Sequence, residues 1–70
     1  MKLTAELELL VFIADQLNAN IAERDAVPLT ELRDWDFARG KVAATAKILD
    51  KARELGLPVE SAMYLSHREA

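Results

Sequence analysis

Thr4-Ala5-Glu6-Leu7-Glu8-Leu9-Leu10-Val11-Phe12-Ile13-Ala14-Asp15-Gln16-Leu17-Asn18-Ala19-Asn20-Ile21-Ala22-Glu23-Arg24 contains neither glycine nor proline. Leu3, Leu7, Leu10, Ala14, Leu17 and Ile21 recur along it at alternating steps of four and three, which is the period of a helix and not of a strand. Thr4 carries a hydroxyl able to cap the first free backbone N–H groups. Glu6 and Glu8 place negative charge where the helix dipole is positive. The stretch therefore predicts a helix over about residues 4–24, roughly 30 Å long at 1.5 Å per residue.

Working outward, Asp25-Ala26-Val27-Pro28-Leu29-Thr30 reads as a connector. The residue before a proline is pushed out of the α region, and Thr30 is a suitable cap for a following helix. So short a loop returns the chain antiparallel. A second helix is expected over about 31–55, with Trp35, Ala38, Val42, Thr45, Leu49 and Ala52 on one stripe and Trp35 anchoring the hairpin. Leu55-Gly56-Leu57-Pro58 should end it, because the glycine can turn left-handed and the proline cannot continue the ladder. Gly40 falls on the side away from Leu49. It either separates a short helix Thr30–Arg39 from the next or lies in a continuous helix where the backbone of a partner approaches. The tail 58–70 is expected to make a short helix with Val59, Met63 and Leu65 facing inward.

Seventy residues make a single domain with little apolar surface to bury. The chain has no cysteine and one histidine, so neither disulfides nor a zinc site can staple it, and self-association is the remaining means. The absence of cysteine suits a reducing compartment. The N-terminal apolar run Leu9–Ala14 is too short and too acid-flanked for a signal peptide or a membrane span, so the expected location is cytoplasmic. The formal net charge of −3 is unevenly spread: residues 1–36 hold eight acids and three bases, residues 37–70 four acids and six bases. Antiparallel helices of that kind face each other with complementary charge.

Two apolar seams run along each helix. Phe12 points about 160° away from Leu10, beside Ala5 and Ala19, and the run from Leu9 to Ala14 is apolar nearly all round. On the second helix Phe37, Ala44, Ile48 and Leu55 form a flank about 100–140° from Leu49. One neighbour cannot cover both seams. The expected fold is an all-α antiparallel two-helix hairpin with a short C-terminal helix or tail, dimerising into a four-helix arrangement. Leu9, Phe12, Ile13, Phe37, Ile48 and Leu55 are its expected interface residues. The competing arrangement is a monomer whose tail folds over these flanks.

Enzymatic chemistry finds no footing. Asp34 and Asp36 stand about 200° apart on a helix and cannot converge on one ion, and their placement in a first turn is explained by the dipole. His67 has no second histidine or cysteine to join it, and Ser61 and Ser66 lack a histidine at motif spacing. No cofactor, metal or catalytic residue is expected. Arg33, Arg39, Lys41, Lys47, Lys51 and Arg53 make the second helix basic, which supports a small dimeric DNA-binding regulator as the alternative. Against it stand an overall pI near 5.0 and the lack of a helix-turn-helix signature. A protein-binding module is the preferred expectation.

Asp36-Phe37-Ala38-Arg39-Gly40-Lys41-Val42-Ala43-Ala44-Thr45-Ala46-Lys47-Ile48-Leu49, followed by Gly56-Leu57-Pro58-Val59-Glu60, resembles a pattern found in small helical-hairpin proteins encoded by tailed phages and prophages. That pattern is a Gly-Arg/Lys-Ile/Val-Ala-Ala-hydrophobic helix with a Leu-Pro-Glu ending. The likeness covers about a third of the chain, and Ala43, Ala44 and Thr45 replace the usual bulky residues. It implies a phage setting and binding of a host protein as adaptor or inhibitor; it assigns no site residue.

Overall fold

A computed structural model describes residues 3–69; Met1, Lys2 and Ala70 lie outside the described residues. Three helices follow in order, α1 (Ala5–Ala26), α2 (Leu32–Glu54) and α3 (Val59–Glu69). The two long helices pack antiparallel as a hairpin. α3 lies mainly on α1 and touches α2 only near the α2–α3 connection, so α1 occupies the middle. The Cα extents of 44 × 24 × 14 Å describe a flat body.

α1 starts as its sequence dictates. Thr4 is extended, and its hydroxyl accepts the Leu7 N–H at 3.1 Å. The helix runs to Ala26, two residues beyond the expected end, because the constraint from Pro28 falls on Val27, which is extended. The expected cap at Thr30 does not form. The Pro28 carbonyl accepts the Glu31 N–H at 2.9 Å, so Thr30 is held inside that turn and α2 begins one residue later. Glu31 then stands at the cap position without a side-chain hydrogen bond.

α2 is continuous through Gly40, and a Cβ built there would meet nothing within 4 Å. Its end is a Schellman motif. Gly56 has φ +79°, the Gly56 N–H bonds to the Arg53 carbonyl, and the Leu57 N–H reaches back to Ala52, both at 3.0 Å. Pro58 then gives its carbonyl to the Ala62 N–H, and α3 begins.

Leu10, Val11, Leu17, Leu49, Ala52, Val59 and Ala62 form one buried cluster, edged by Leu7, Ile13, Ile21, Val42, Leu57, Met63 and Leu65. On α3, Val59, Ala62 and Ser66 are buried at steps of three and four, and the expected inward residues Met63 and Leu65 are half-buried on either side of that stripe. Val11 is buried although it lies off the Leu10–Leu17 stripe, because α3 covers that flank of α1. Trp35 is only half-buried and takes the Arg39 guanidinium over its ring at 5.6 Å, so it borders the core without anchoring it.

Candidate interaction surface

The hairpin register is set by polar contacts across α1 and α2. Asn20 Nδ2 donates to Thr45 Oγ1 at 2.9 Å, Thr45 Oγ1 donates to the Lys41 carbonyl at 2.8 Å, and Lys41 Nζ pairs with Glu23 at 2.6 Å. Continued along the hairpin, this register sets Ala19 level with Thr45, Gln16 with Ile48, Phe12 with Ala52 and Leu9 with Leu55. At 100° per residue, Leu9, Phe12 and Ala19 share the face of α1 that carries Glu23, and Phe37, Ala44, Ile48 and Leu55 share the neighbouring face of α2.

These apolar groups fall on one side of the hairpin in two parts, Leu9, Phe12, Ile48 and Leu55 toward its open end and Phe37 toward the loop, with the Glu23–Lys41 ion pair between them. Relative exposures are 60% for Leu9, 59% for Phe12, 67% for Phe37, 53% for Ile48 and 66% for Leu55. α3 does not cover them. It is tied to the other side of α1 by Ser66, which is buried, donates to Asp15 and accepts from Asn18 Nδ2 at 2.9 Å. Of the six expected interface residues, five are therefore exposed on one side. Ile13 differs: it is half-buried and packs against the core, because its direction on α1 leans toward α2. Lys41 also lies 5.3 Å over the Phe37 ring, which gives that exposed aromatic one charged neighbour.

At the loop end of the hairpin Leu29 and Leu32 are exposed as well. α3 is too short to reach them: Ser66, near its end, stands beside Asn18. These two residues and the Asp15–Ser66–Asn18 network were not legible as site or contact residues in the sequence. Leu29 sits in a connector with no period, and the partners of Ser66 lie 48 and 51 residues away.

Glu8 and Asp15 lie along the α1 margin of the face, and the α2 edge is mixed: Arg33, Lys47 and Lys51 stand there with Asp36 and Glu54, all exposed, and Lys51 pairs with Glu54 at 3.4 Å. Arg53, at the α2–α3 connection, bonds Glu60 at 2.7 Å and Asp50 at 2.9 Å. Its hydrogen bond to Glu60, with the charge of that carboxylate, pushes the guanidinium pKa further up.

No group of three or more His, Cys, Asp and Glu side chains suited to a metal ion occurs among the described residues, and no described helix is long and apolar enough to cross a membrane. His67 is exposed, and Asp34 and Asp36 are exposed without convergence. What the described residues define is a three-helix body with exposed apolar groups on one side of the hairpin and at its loop end. Comparison with protein families, curated proteins and solved structures finds no match for the chain.

Proposed function

We propose that this protein is a non-enzymatic protein–protein interaction module that self-associates through the apolar face of its hairpin and binds another protein. The observation that carries the reading is the row Leu9, Phe12, Ile48 and Leu55, each more than half exposed on one side of a small body. Contiguous exposed apolar surface on a small domain marks an interface more often than chance solvent exposure. Large aromatic and aliphatic groups gain most when they are desolvated in a close-fitting contact. Phe37, Leu29 and Leu32, at the loop end beyond the reach of α3, offer a second apolar area for a different protein. The resemblance to phage hairpin proteins adds a host protein as the kind of partner, with an adaptor or inhibitor role, and the short, acid-flanked N-terminal apolar run supports a cytoplasmic setting.

A pull-down from bacterial lysate with wild type and Phe37→Asp in parallel tests the partner half of this reading. A protein retained by the wild type and lost from the variant, with helicity unchanged, supports it. Identical retention by both sinks the assignment of that end.

The alternative is a small DNA-binding regulator, favoured by the exposed Arg33, Lys47 and Lys51 along α2. Phosphate contacts release counterions, so retention on DNA that falls steeply with salt favours this alternative over protein binding.

A further inference from the structure

We propose that α3 is a latched cover: it stays helical only while docked on α1, and the Asp15–Ser66–Asn18 knot holds its outer half in place. Its release bares the Val11 side of α1 while the hairpin stays folded. The proposal concerns the side of α1 away from the Phe12 row and does not depend on what that row binds.

Length makes the cover conditional. α3 has 11 residues, and a helix of that length is marginal in water on its own, so its form has to come from docking. Docking in turn rests almost entirely on α1, because α3 touches α2 only near the connection.

The docked stripe holds lightly. Its buried residues are Val59, Ala62 and Ser66, which bring one aliphatic side chain, one methyl group and one hydroxyl. Val59 sits at the base, one residue before Glu60, which pairs with Arg53 of α2. Further out the larger groups are not enclosed: Met63 and Leu65 are half-buried, and Tyr64 is exposed. Hydrophobic gain scales with the apolar area removed from water, so the outer half of α3 gains little from Ala62.

What holds that half is polar. Ser66 is the single buried polar side chain among the described residues, and its hydroxyl is engaged twice, donating to Asp15 and accepting from Asn18 Nδ2. Val11, Asp15 and Asn18 follow at steps of four and three along α1, so the latch and the apolar surface it closes share one face. A hydrogen bond is directional, and one to a carboxylate is stronger than a neutral one, so the knot fixes where α3 lands.

Because the chain has no cysteine, single thiols report each region. Val59→Cys and Ala62→Cys place probes at the base and middle of α3, and Ala38→Cys places one in the hairpin beyond the reach of α3; all three positions are buried. Reaction with a thiol reagent is followed in each, with Ser66 intact and with Ser66→Ala. The expected result is that Ser66→Ala speeds labelling at both α3 positions about fivefold or more and leaves Ala38→Cys unchanged within about twofold. An equal rise at all three positions overturns the cover as a separate unit. A rise at Ala62→Cys alone is fraying of the tip, which overturns it too, and no rise at either α3 position overturns the latch. Circular dichroism of Ser66→Asp, free of any thiol probe, is the second measurement. A carboxylate set against Asp15 should remove about a fifth of the helical signal, the share of α3 in the three helices. Full helicity overturns the latch, and wholesale unfolding overturns the independence of the hairpin.

Discussion

Leu10 and Phe12 are two residues apart, and the helix sends them to opposite fates: Leu10 is 3% exposed and Phe12 59%. Leu10→Asp places a carboxylate among Leu17, Leu49 and Val59, where burying a charge without a partner costs several kcal/mol. Circular dichroism should show loss of helicity at ordinary temperature. Phe12→Asp should keep the helical signal and weaken self-association by about 2 kcal/mol or more in sedimentation, as for an aromatic anchor of an interface. Equal collapse of both variants would mean that folding and association are a single event. Ser66 supplies a third contrast, because its buried hydroxyl both donates to Asp15 and accepts from Asn18. Ser66→Ala leaves the Asn18 amide short of a partner. It should lower stability by about 1–3 kcal/mol in urea unfolding, with helicity of the native state retained.

At the level of elements, the two glycines should respond in opposite directions. Gly56 sits at φ +79° and closes α2, so Gly56→Ala should cost about 1 kcal/mol by forcing a side chain into left-handed backbone. Gly40 lies inside a continuous helix with open space where a Cβ would stand, and Gly40→Ala should add about 1 kcal/mol from helix propensity. Thermal melts of the two variants check the sign of each. Both long helices could be read from the spacing of Leu7, Leu10, Ala14 and Leu17 and from the Leu55–Pro58 stop, because period and caps are local properties. The start of α2 could not be placed at Thr30, since a turn beginning at Pro28 competes for the same residues. Nor could the burial of Val11 and Ser66 be foreseen, because both depend on where α3 lands. The exposed apolar side was legible as an excess of apolar residues over what one neighbour covers; Ile13, on the side of the wheel turned toward α2, is half-buried.

For the whole molecule, a flat body 14 Å thick in its Cα positions has a high ratio of surface to interior, and seventy residues bury only a modest core. If association covers the apolar face, mass action couples it to folding. The melting temperature should then rise with protein concentration, and Phe12→Asp should flatten that dependence. A calorimetric series over a hundredfold range of concentration checks it. A melting temperature independent of concentration for the wild type would mean that the exposed face contributes nothing to stability.

α3 rests on the helix farthest from it along the chain, tied there by Ser66 to Asp15 and Asn18. That attachment closes a loop about the length of the entire hairpin, and a longer loop costs more entropy to close. α3 is accordingly expected to open as a unit before the hairpin does, and hydrogen exchange checks it: its backbone amides should exchange faster than those of α1 and α2. Its lifting would wet Val11 and Val59 together and leave a bare two-helix state with apolar surface on both sides.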